Sequence, residues 1–357
     1  MKKKLIFFHL LNNFTGSPQI LRNVIETAVK DGFEVQLYTS SSRGFLTAIP
    51  GVVYRPNYYR RSSKRWITLF TFFFSQFILG MVIFRHLLEK STFYTNTILP
   101  FSAILAGRMM GKRVITHVHE NKVSPAVLDK FLFWIVRNFS SEKIVVSGFL
   151  AGNPKLGGRS ISLIPNAVNS RISEQANPVD WFPGNFTVLM LASLRPYKGT
   201  QEFVNLANRL SNIHFMLVLS DPAEEVEKWQ GTLDVGPNIE IFPVQEDVIS
   251  FYQRSQLLLN LAHPDKWLET FGMTVLEGFC FGIPAIVPTQ GGVAELVEED
   301  LNGYKIDYTD PDLMANKVLE LAQNQFLWER LSRGALIKSK EYSLPEFERK
   351  VLEILTA

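Results

Sequence analysis

The chain has 357 residues, 46% hydrophobic and 20% charged, an ordinary globular balance with enough apolar material for two domains. Its 37 basic and 34 acidic residues leave a net charge of +3, which excludes bulk nucleic-acid binding and confines any basic partner site to a local patch. Cys280 is the only cysteine, so neither an internal disulfide nor a cysteine metal cluster can form, and a reducing cytoplasm is the expected compartment.

The opening MKKKLIFFHLLNNF imitates a signal peptide, with basic residues and then a short apolar run. His9 breaks that run, which ends at Asn12-Asn13 without a small-residue cleavage site, so a buried strand over 4–10 is expected instead. A loop with Gly16 leads to a helix over 18–31, with Pro18 in its first turn, and a strand over 33–39 follows. YRPNYYRRSSKRW (54–66) carries five basic residues and no acidic one, and runs into ITLFTFFFSQFILGMVIF (67–84). From Trp66 to Phe84 there are 19 residues without a formal charge, close to the roughly 20 that cross a bilayer. Three readings stay open for 54–84: a core helix with a solvated basic loop, attachment to an anionic membrane face, and a true span, which would cut the first domain's sheet in two.

Strands over 112–119 and 142–147 flank a helix over 124–139. In ITHVHEN (115–121), His117 and His119 alternate with Val118, so the two rings should point the same way. RISEQANPVDWFPGN (171–185) is polar and contains proline, a linker by composition. The alternation then restarts with strands over 186–192, 213–219, 238–242, 256–261 and 284–288, helices over 199–210, 246–254 and 271–281, and helical runs from about 310. Near-continuous apolar strands separated by helices predict parallel sheets covered on both faces, in two α/β units with a cleft between them.

Such sheets bind ligands at the carboxyl ends of their strands. One strand end leads into the loop carrying Arg195 and Lys198; another leads through HPDKWLET to a helix starting near Phe271. Gly272 admits close backbone approach, and the free N–H groups around Phe271, Gly272 and Met273 favour an anion such as a diphosphate. Glu277, about 7 Å along that helix, is placed to accept hydrogen bonds from vicinal ribose hydroxyls, and Glu269, just before it, to face a transferred sugar. The surroundings of both carboxylates are apolar, so each needs a partner from elsewhere in the chain or from a ligand. Asp310-Pro311-Asp312 has the form of a D-x-D metal motif, but its position marks a helix start.

ETFGMTVLE resembles the E-x7-E signature of the retaining glycosyltransferases of the GT-B fold, family 4 of the sequence classification. GFCFGIPAIVPTQGGVAELVEEDLNGY is similar to the segment that follows it in that family, SLRPYKG to its basic phosphate loop, and LIPNAVN to its usual end of the first domain. The likeness covers nearly the whole chain in order. It departs from the family in having only two residues between Arg195 and Lys198, and one glycine, Gly16, where the family's N-terminal loop has two adjacent ones.

The resemblance implies two facing Rossmann-like domains, over 1–170 and 171–340, with a helix over 341–357 returning to the first. It implies transfer of a hexose from a nucleotide diphosphate-sugar to an acceptor hydroxyl, with no cofactor and no divalent metal. Glu269, His119 and Lys198 would take the catalytic roles, and Arg195, Lys198, Glu277, Phe271, Gly272, Met273 and Gly16 would bind the donor. The basic aromatic stretch 54–66 favours, as acceptor, a lipid-linked glycan or another cell-surface polysaccharide precursor, met at the inner face of the plasma membrane. A nucleotide-sugar epimerase of the same fold, or a non-catalytic sugar-nucleotide or membrane-binding protein, would share many of these features.

Overall fold

A computed structural model describes residues 3–60, 62, 64–157, 160–182 and 184–357. Met1 and Lys2 of the opening run, Arg61 and Ser63 of the basic stretch and Pro183 of the expected linker lie outside the described residues. The chain divides into two compact units, Met1–Asn166 with Pro345–Ala357, and Ala167–Leu344.

The first unit holds a seven-stranded parallel sheet of β1 (Lys4–Phe8), β2 (Glu34–Thr39), β3 (Val52–Pro56), β4 (Ser91–Asn96), β5 (Val114–Val118), β6 (Glu142–Val145) and β7 (Ile161–Leu163). Their order is β3-β2-β1-β4-β5-β6-β7, so the chain winds outward in both directions from the β1–β4 pair. The helices are α1 (Gly16–Lys30), α2 (Arg65–Ile83), α3 (Phe101–Met109), α4 (Ala126–Phe139) and the short α5 (Gly148–Ala151). Right-handed crossovers put α1 on one face of this sheet and α2, α3 and α4 on the other. Strand β5 is buried throughout and β1 from Leu5 onward, as their apolar runs require, whereas edge strand β3 is mostly exposed.

The second unit has six parallel strands, β8 (Thr187–Ala192), β9 (His214–Leu219), β10 (Ile239–Phe242), β11 (Leu257–Leu259), β12 (Ala285–Val287) and β13 (Gly303–Lys305), in the order β10-β9-β8-β11-β12-β13. Its helices are α6 (Ser170–Gln175), α7 (Thr200–Arg209), α8 (Ala223–Gln230), α9 (Ile249–Tyr252), α10 (Met273–Cys280), α11 (Pro311–Gln323) and α12 (Gln325–Lys340). The last helix, α13 (Leu344–Thr356), falls within the first unit from Pro345 onward; Phe347, Val351, Ile354 and Leu355 are buried, and Arg113 donates to the Ile354 carbonyl at 2.7 Å.

The stretch 171–185 is not a free linker. Asn169 caps α6 by accepting the Ile172 N–H, the Val179 N–H donates to the Phe281 carbonyl at 2.9 Å, and Trp181 Nε1 donates to the Leu321 carbonyl at 3.2 Å. Its apolar members, Val179 and Trp181, pack against the second core, which outweighs the polar composition that suggested a linker. Strands β3, β4, β7 and β13 and helices α3, α5, α6 and α8 were not expected; the helix expected over 246–254 spans only the four residues of α9, and α10 begins at Met273 rather than Phe271.

Candidate functional site

Each sheet has one place where neighbouring strands are not consecutive in the chain, the pair from which the winding reverses. Loops leaving the carboxyl ends of such a pair diverge and leave a crevice. In the second unit the pair is β8 and β11. The loop after β8 carries Arg195 and Lys198, and the loop after β11 carries Glu269 into α10. The geometry brings Lys198 and Glu269, 71 residues apart, into an ion pair: Lys198 Nζ donates to Glu269 Oε1.

Backbone constraints hold this contact. Gly199 has φ +76°, and a Cβ there would run into the Leu261 carbonyl, so the β8 loop lies directly on the β11 loop. The His263 N–H donates to the Tyr197 carbonyl at 2.8 Å, and Tyr197 stacks on Trp267 with ring centroids 5.3 Å apart. On the other side, Gly291 (φ +100°) lets the chain after β12 approach, and the Gly292 N–H donates to the Glu269 carbonyl at 2.7 Å. Gly272 (φ +110°) is the N-cap of α10, and a Cβ there would meet Val293 at 2.6 Å. The double glycine 291–292 thus fixes the backbone of the carboxylate at 269. Met273 is the first residue of α10; the Val275 and Leu276 N–H groups turn back to the Gly272 carbonyl at 3.1 and 3.2 Å, which leaves the N–H groups of Met273 and Thr274 at the open end of the helix. Phe271 is buried and packs edge-on against Tyr342, so it holds the turn from its apolar side.

The two carboxylates of the E-x7-E run have different partners. Glu277 is buried, accepts the Tyr252 O–H at 2.8 Å, and burial pushes its carboxyl up to about 7. The chain itself therefore supplies both partners that the sequence demanded: an ammonium for Glu269 and a phenol for Glu277. Arg195 is exposed, and the structure leaves it beside the site without a carboxylate among the described residues. Asp310 accepts the Leu313 N–H at 3.1 Å as the N-cap of α11, and Asp312 pairs with Arg209 at 2.6 Å, so the D-x-D run is a helix start. No group of three or more His, Cys, Asp or Glu among the described residues is arranged to hold a metal ion.

In the first unit the diverging pair is β1 and β4. His9 follows β1, Asn96 ends β4, and His119 follows β5. Asn96 Nδ2 donates to the Ser17 carbonyl at 3.1 Å, which fixes the amide orientation and leaves its Oδ1 to accept from His119 Nε2 at 2.9 Å. His119 Nε2 then carries the proton, and Nδ1 is an acceptor. Burial holds His119 well below the usual histidine range, with His117 and His9 adding to it, so the ring stays neutral. The His117 and His119 rings lie 4.3 Å apart on the same side of β5, as their alternation predicts. His117 is buried, takes a Tyr94 Oη contact of 2.8 Å on Nδ1, has no partner for Nε2 among the described residues, and is lowered to about 3 by burial. Glu120, raised to about 7 by burial, accepts the Ile98 and His119 N–H groups at 3.2 Å each and ties the β4 and β5 loops together.

Gly16 is the first residue of α1 and has no positive φ, so nothing in its backbone requires glycine. The close approach in this region is made instead by Gly44, where a Cβ would collide with the Asn12 side-chain oxygen and the Asn13 backbone. Sequence reasoning missed Gly44, Asn96, Glu120 and Tyr252. Asn96 carried one readable signal, as a polar residue ending a strand, but that strand was itself overlooked.

Residues 172–337 match the glycosyl transferases group 1 family. The matched stretch is a little under half of the chain, lies wholly in the second unit, and contains Arg195, Lys198, Glu269 and Glu277. A probable sucrose-phosphate synthase 2 from Craterostigma plantagineum is 27% identical over 113 residues, 32% of this chain and 10% of that protein. The chain thus spans about a tenth of the length of the curated relatives it matches first. Among solved structures, Anabaena HepE in complex with UDP and glucose aligns over 99% of this chain and 100% of its own, with a TM-score of 0.77 at 16% identity. Sucrose-phosphate synthase from Thermosynechococcus elongatus aligns over 99% and 98%, with a TM-score of 0.79 at 14% identity. Both units therefore have the Rossmann-like parallel sheets of GT-B glycosyltransferase structures.

Proposed function

We infer that this chain is a retaining, metal-independent glycosyltransferase that moves a hexose from a nucleotide diphosphate-sugar to an acceptor hydroxyl in glycan synthesis. The observation that carries this reading is the meeting of Lys198 and Glu269 at the diverging strand pair of the second unit, directly before α10. An incoming diphosphate competes for the Lys198 ammonium, and Arg195 and the first-turn N–H groups of α10 add to its grip. That exchange releases the Glu269 carboxylate to accept hydrogen bonds from the sugar. Glu277 offers an acceptor for a ribose hydroxyl alongside the Tyr252 O–H it already takes.

In the reaction the bond from the anomeric carbon to the β-phosphate oxygen breaks, and a bond to the acceptor oxygen forms on the same face of the ring. The acceptor's proton passes to the departing phosphate. Lys198 and the helix start hold the charge that develops on that phosphate, the stabilisation expected to dominate. His119, neutral and with Nδ1 free to accept, positions a sugar or acceptor hydroxyl without adding charge.

The test is transfer from a panel of nucleotide-sugars, with anomeric configuration of the product read by NMR and with a chelator present. Lys198→Ala and Glu269→Gln should each abolish most turnover; near-normal transfer in both would refute the assignment. Isomerisation of a donor without any acceptor would identify an epimerase, and nucleotide binding without turnover over a broad acceptor panel would identify a non-catalytic binding protein.

A further inference from the structure

Helix α2 is apolar all round, yet only one side of it is used by the fold. Phe72, Ser75, Gln76, Leu79 and Ile83 are buried at helical spacing, and the Ser102 N–H of α3 donates to Gln76 Oε1 at 3.2 Å. The opposite stripe is open: Trp66 is 69% exposed, Phe70 68% and Phe77 65%, with Phe74 and Met81 between and beyond them. The stretch Trp66–His86 is long and apolar enough to cross a bilayer by length and composition, with a mean hydropathy of 2.1, but only 28% of its most apolar window is buried. Its inner stripe belongs to the packed layer of the first unit, which argues against a span, and its outer stripe is the feature left without a purpose.

A second helix repeats the pattern. On α4, Leu128, Leu132, Phe133, Ile135 and Val136 face inward, while Val127 is 80% exposed, Trp134 54%, and Phe131 is exposed between them. Phe101 at the start of α3 bridges the two: its ring meets Phe73 of α2 at 6.3 Å and Phe131 of α4 at 5.2 Å, both edge-on. The open aromatic stripes of α2 and α4 therefore form one contiguous patch on the α2–α3–α4 layer, larger than the scattered surface apolar residues of an ordinary soluble domain.

Charge says what the patch meets. Residues 35–139 contain 14 Lys and Arg against three Asp and Glu, although the whole chain is nearly balanced. The three carboxylates are already engaged: Glu89 with Lys4, Glu120 with loop N–H groups, and buried Asp129 with Lys155 at 2.8 Å. The cations around the patch, among them Arg60, Lys64, Arg85, Arg108, Lys130 and Arg137, are exposed. An apolar aromatic surface rimmed by uncompensated cations fits the headgroup boundary of an anionic bilayer, where rings enter the interface and cations meet lipid phosphates.

We propose that the α2–α3–α4 layer of the first unit is a peripheral docking surface for anionic lipid bilayers, inserting the Trp66–Met81 stripe of α2 and the Val127–Trp134 stripe of α4. The proposal stands whether or not the chain transfers a sugar, since it is read by vesicle binding alone. The full chain is floated with vesicles of phosphatidylcholine, and with vesicles in which about one-third of the lipid is phosphatidylglycerol. It should bind the second at least tenfold more tightly, less so in high salt, with a blue shift of tryptophan emission. The triple variant Phe70→Ser/Phe77→Ser/Trp134→Ser should bind at least tenfold less, and Lys64→Glu/Lys130→Glu should remove the preference for anionic lipid, with melting curves recorded for each. If the triple variant melts early, quenching of tryptophan emission by brominated lipid in the unaltered chain provides the test instead. No binding to either vesicle, equal binding by the triple variant, no quenching, or a dimer in solution that the triple variant dissolves would each overturn the proposal, the last by assigning the patch to a second copy of the chain.

Discussion

At the β1–β4 pair of the first unit the polar groups are His9, Asn96 and His119, with Asn96 hydrogen-bonded to both histidines and burial keeping the two rings neutral. At the β8–β11 pair of the second they are Lys198 and Glu269, oppositely charged and each about one-fifth exposed. The topology at the two places is the same, and the chemistry is opposite. A desolvated neutral cluster can read hydroxyl groups but cannot hold a dianion, whereas a partly hydrated ion pair gives up its cation to a competing anion at a lower desolvation cost. The contrast teaches that the fold supplies two crevices and that the side chains of each decide what it takes.

The sharpest way to break this comparison is to exchange the weight of its two sides. Lys198→Ala should lower transfer about a hundredfold, the loss typical of one charge-stabilising donor, while His119→Ala should lower it about tenfold, the value of one positioning hydrogen bond. Steady-state kinetics check both, and a larger loss at His119 would reverse the assignment of charge handling to the second unit.

Titration separates the two units in opposite directions. The folded chain raises Glu277 to about 7, so the unfolded chain loses this proton first as pH rises. The stability linked to it is complete below about pH 4.5 and is lost by about pH 7. Glu277→Gln, which keeps an acceptor for Tyr252, should gain on the unaltered protein by on the order of 3 kcal/mol between pH 4 and pH 8. A denaturation difference independent of pH would show that Glu277 is not buried as described. In the first unit burial lowers His9 to about 4 and His117 to about 3, so stability is complete above about pH 6.5 and falls as acid charges them. Glu120, raised to about 7, opposes that slope between about pH 4.5 and 7. Hydrogen exchange in β1, β4 and β5 should therefore accelerate most steeply below about pH 4.5, and Glu120→Gln should move the onset toward pH 6.5.

The smallest effects test backbone against position. Gly199→Ala, which forces a Cβ into the Leu261 carbonyl at positive φ, should cost about 2 kcal/mol and loosen the Lys198 loop. Gly16→Ala, at ordinary φ, should stay within about 0.5 kcal/mol in a thermal melt.

Much of this was legible in the sequence because buried parallel strands are nearly pure apolar runs. LIFF and VLML announced β1 and β8, whereas STFYTN did not announce β4, since Ser, Thr, Tyr and Asn at its positions find partners only once β1 and β5 lie beside it. Lys198, Glu269 and Glu277 were singled out by their places at strand and helix ends, and His119 by the family resemblance. Tyr252, Asn96 and Gly44 were not, because each acts through a neighbour chosen by strand order or loop packing rather than by distance along the chain. The outward stripe of α4 was hidden for another reason: both of its faces are apolar, and periodicity alone does not say which one the core takes.

The return of residues 345–357 to the first unit has a consequence for biosynthesis. A ribosome delivers all seven strands of the first sheet, and then the entire second unit, before it releases the helix that buries Phe347, Val351 and Ile354. The second unit can thus mature while the first still waits for its closing segment with apolar surface uncovered, and during that interval the nascent protein is most exposed to chaperones and to premature association.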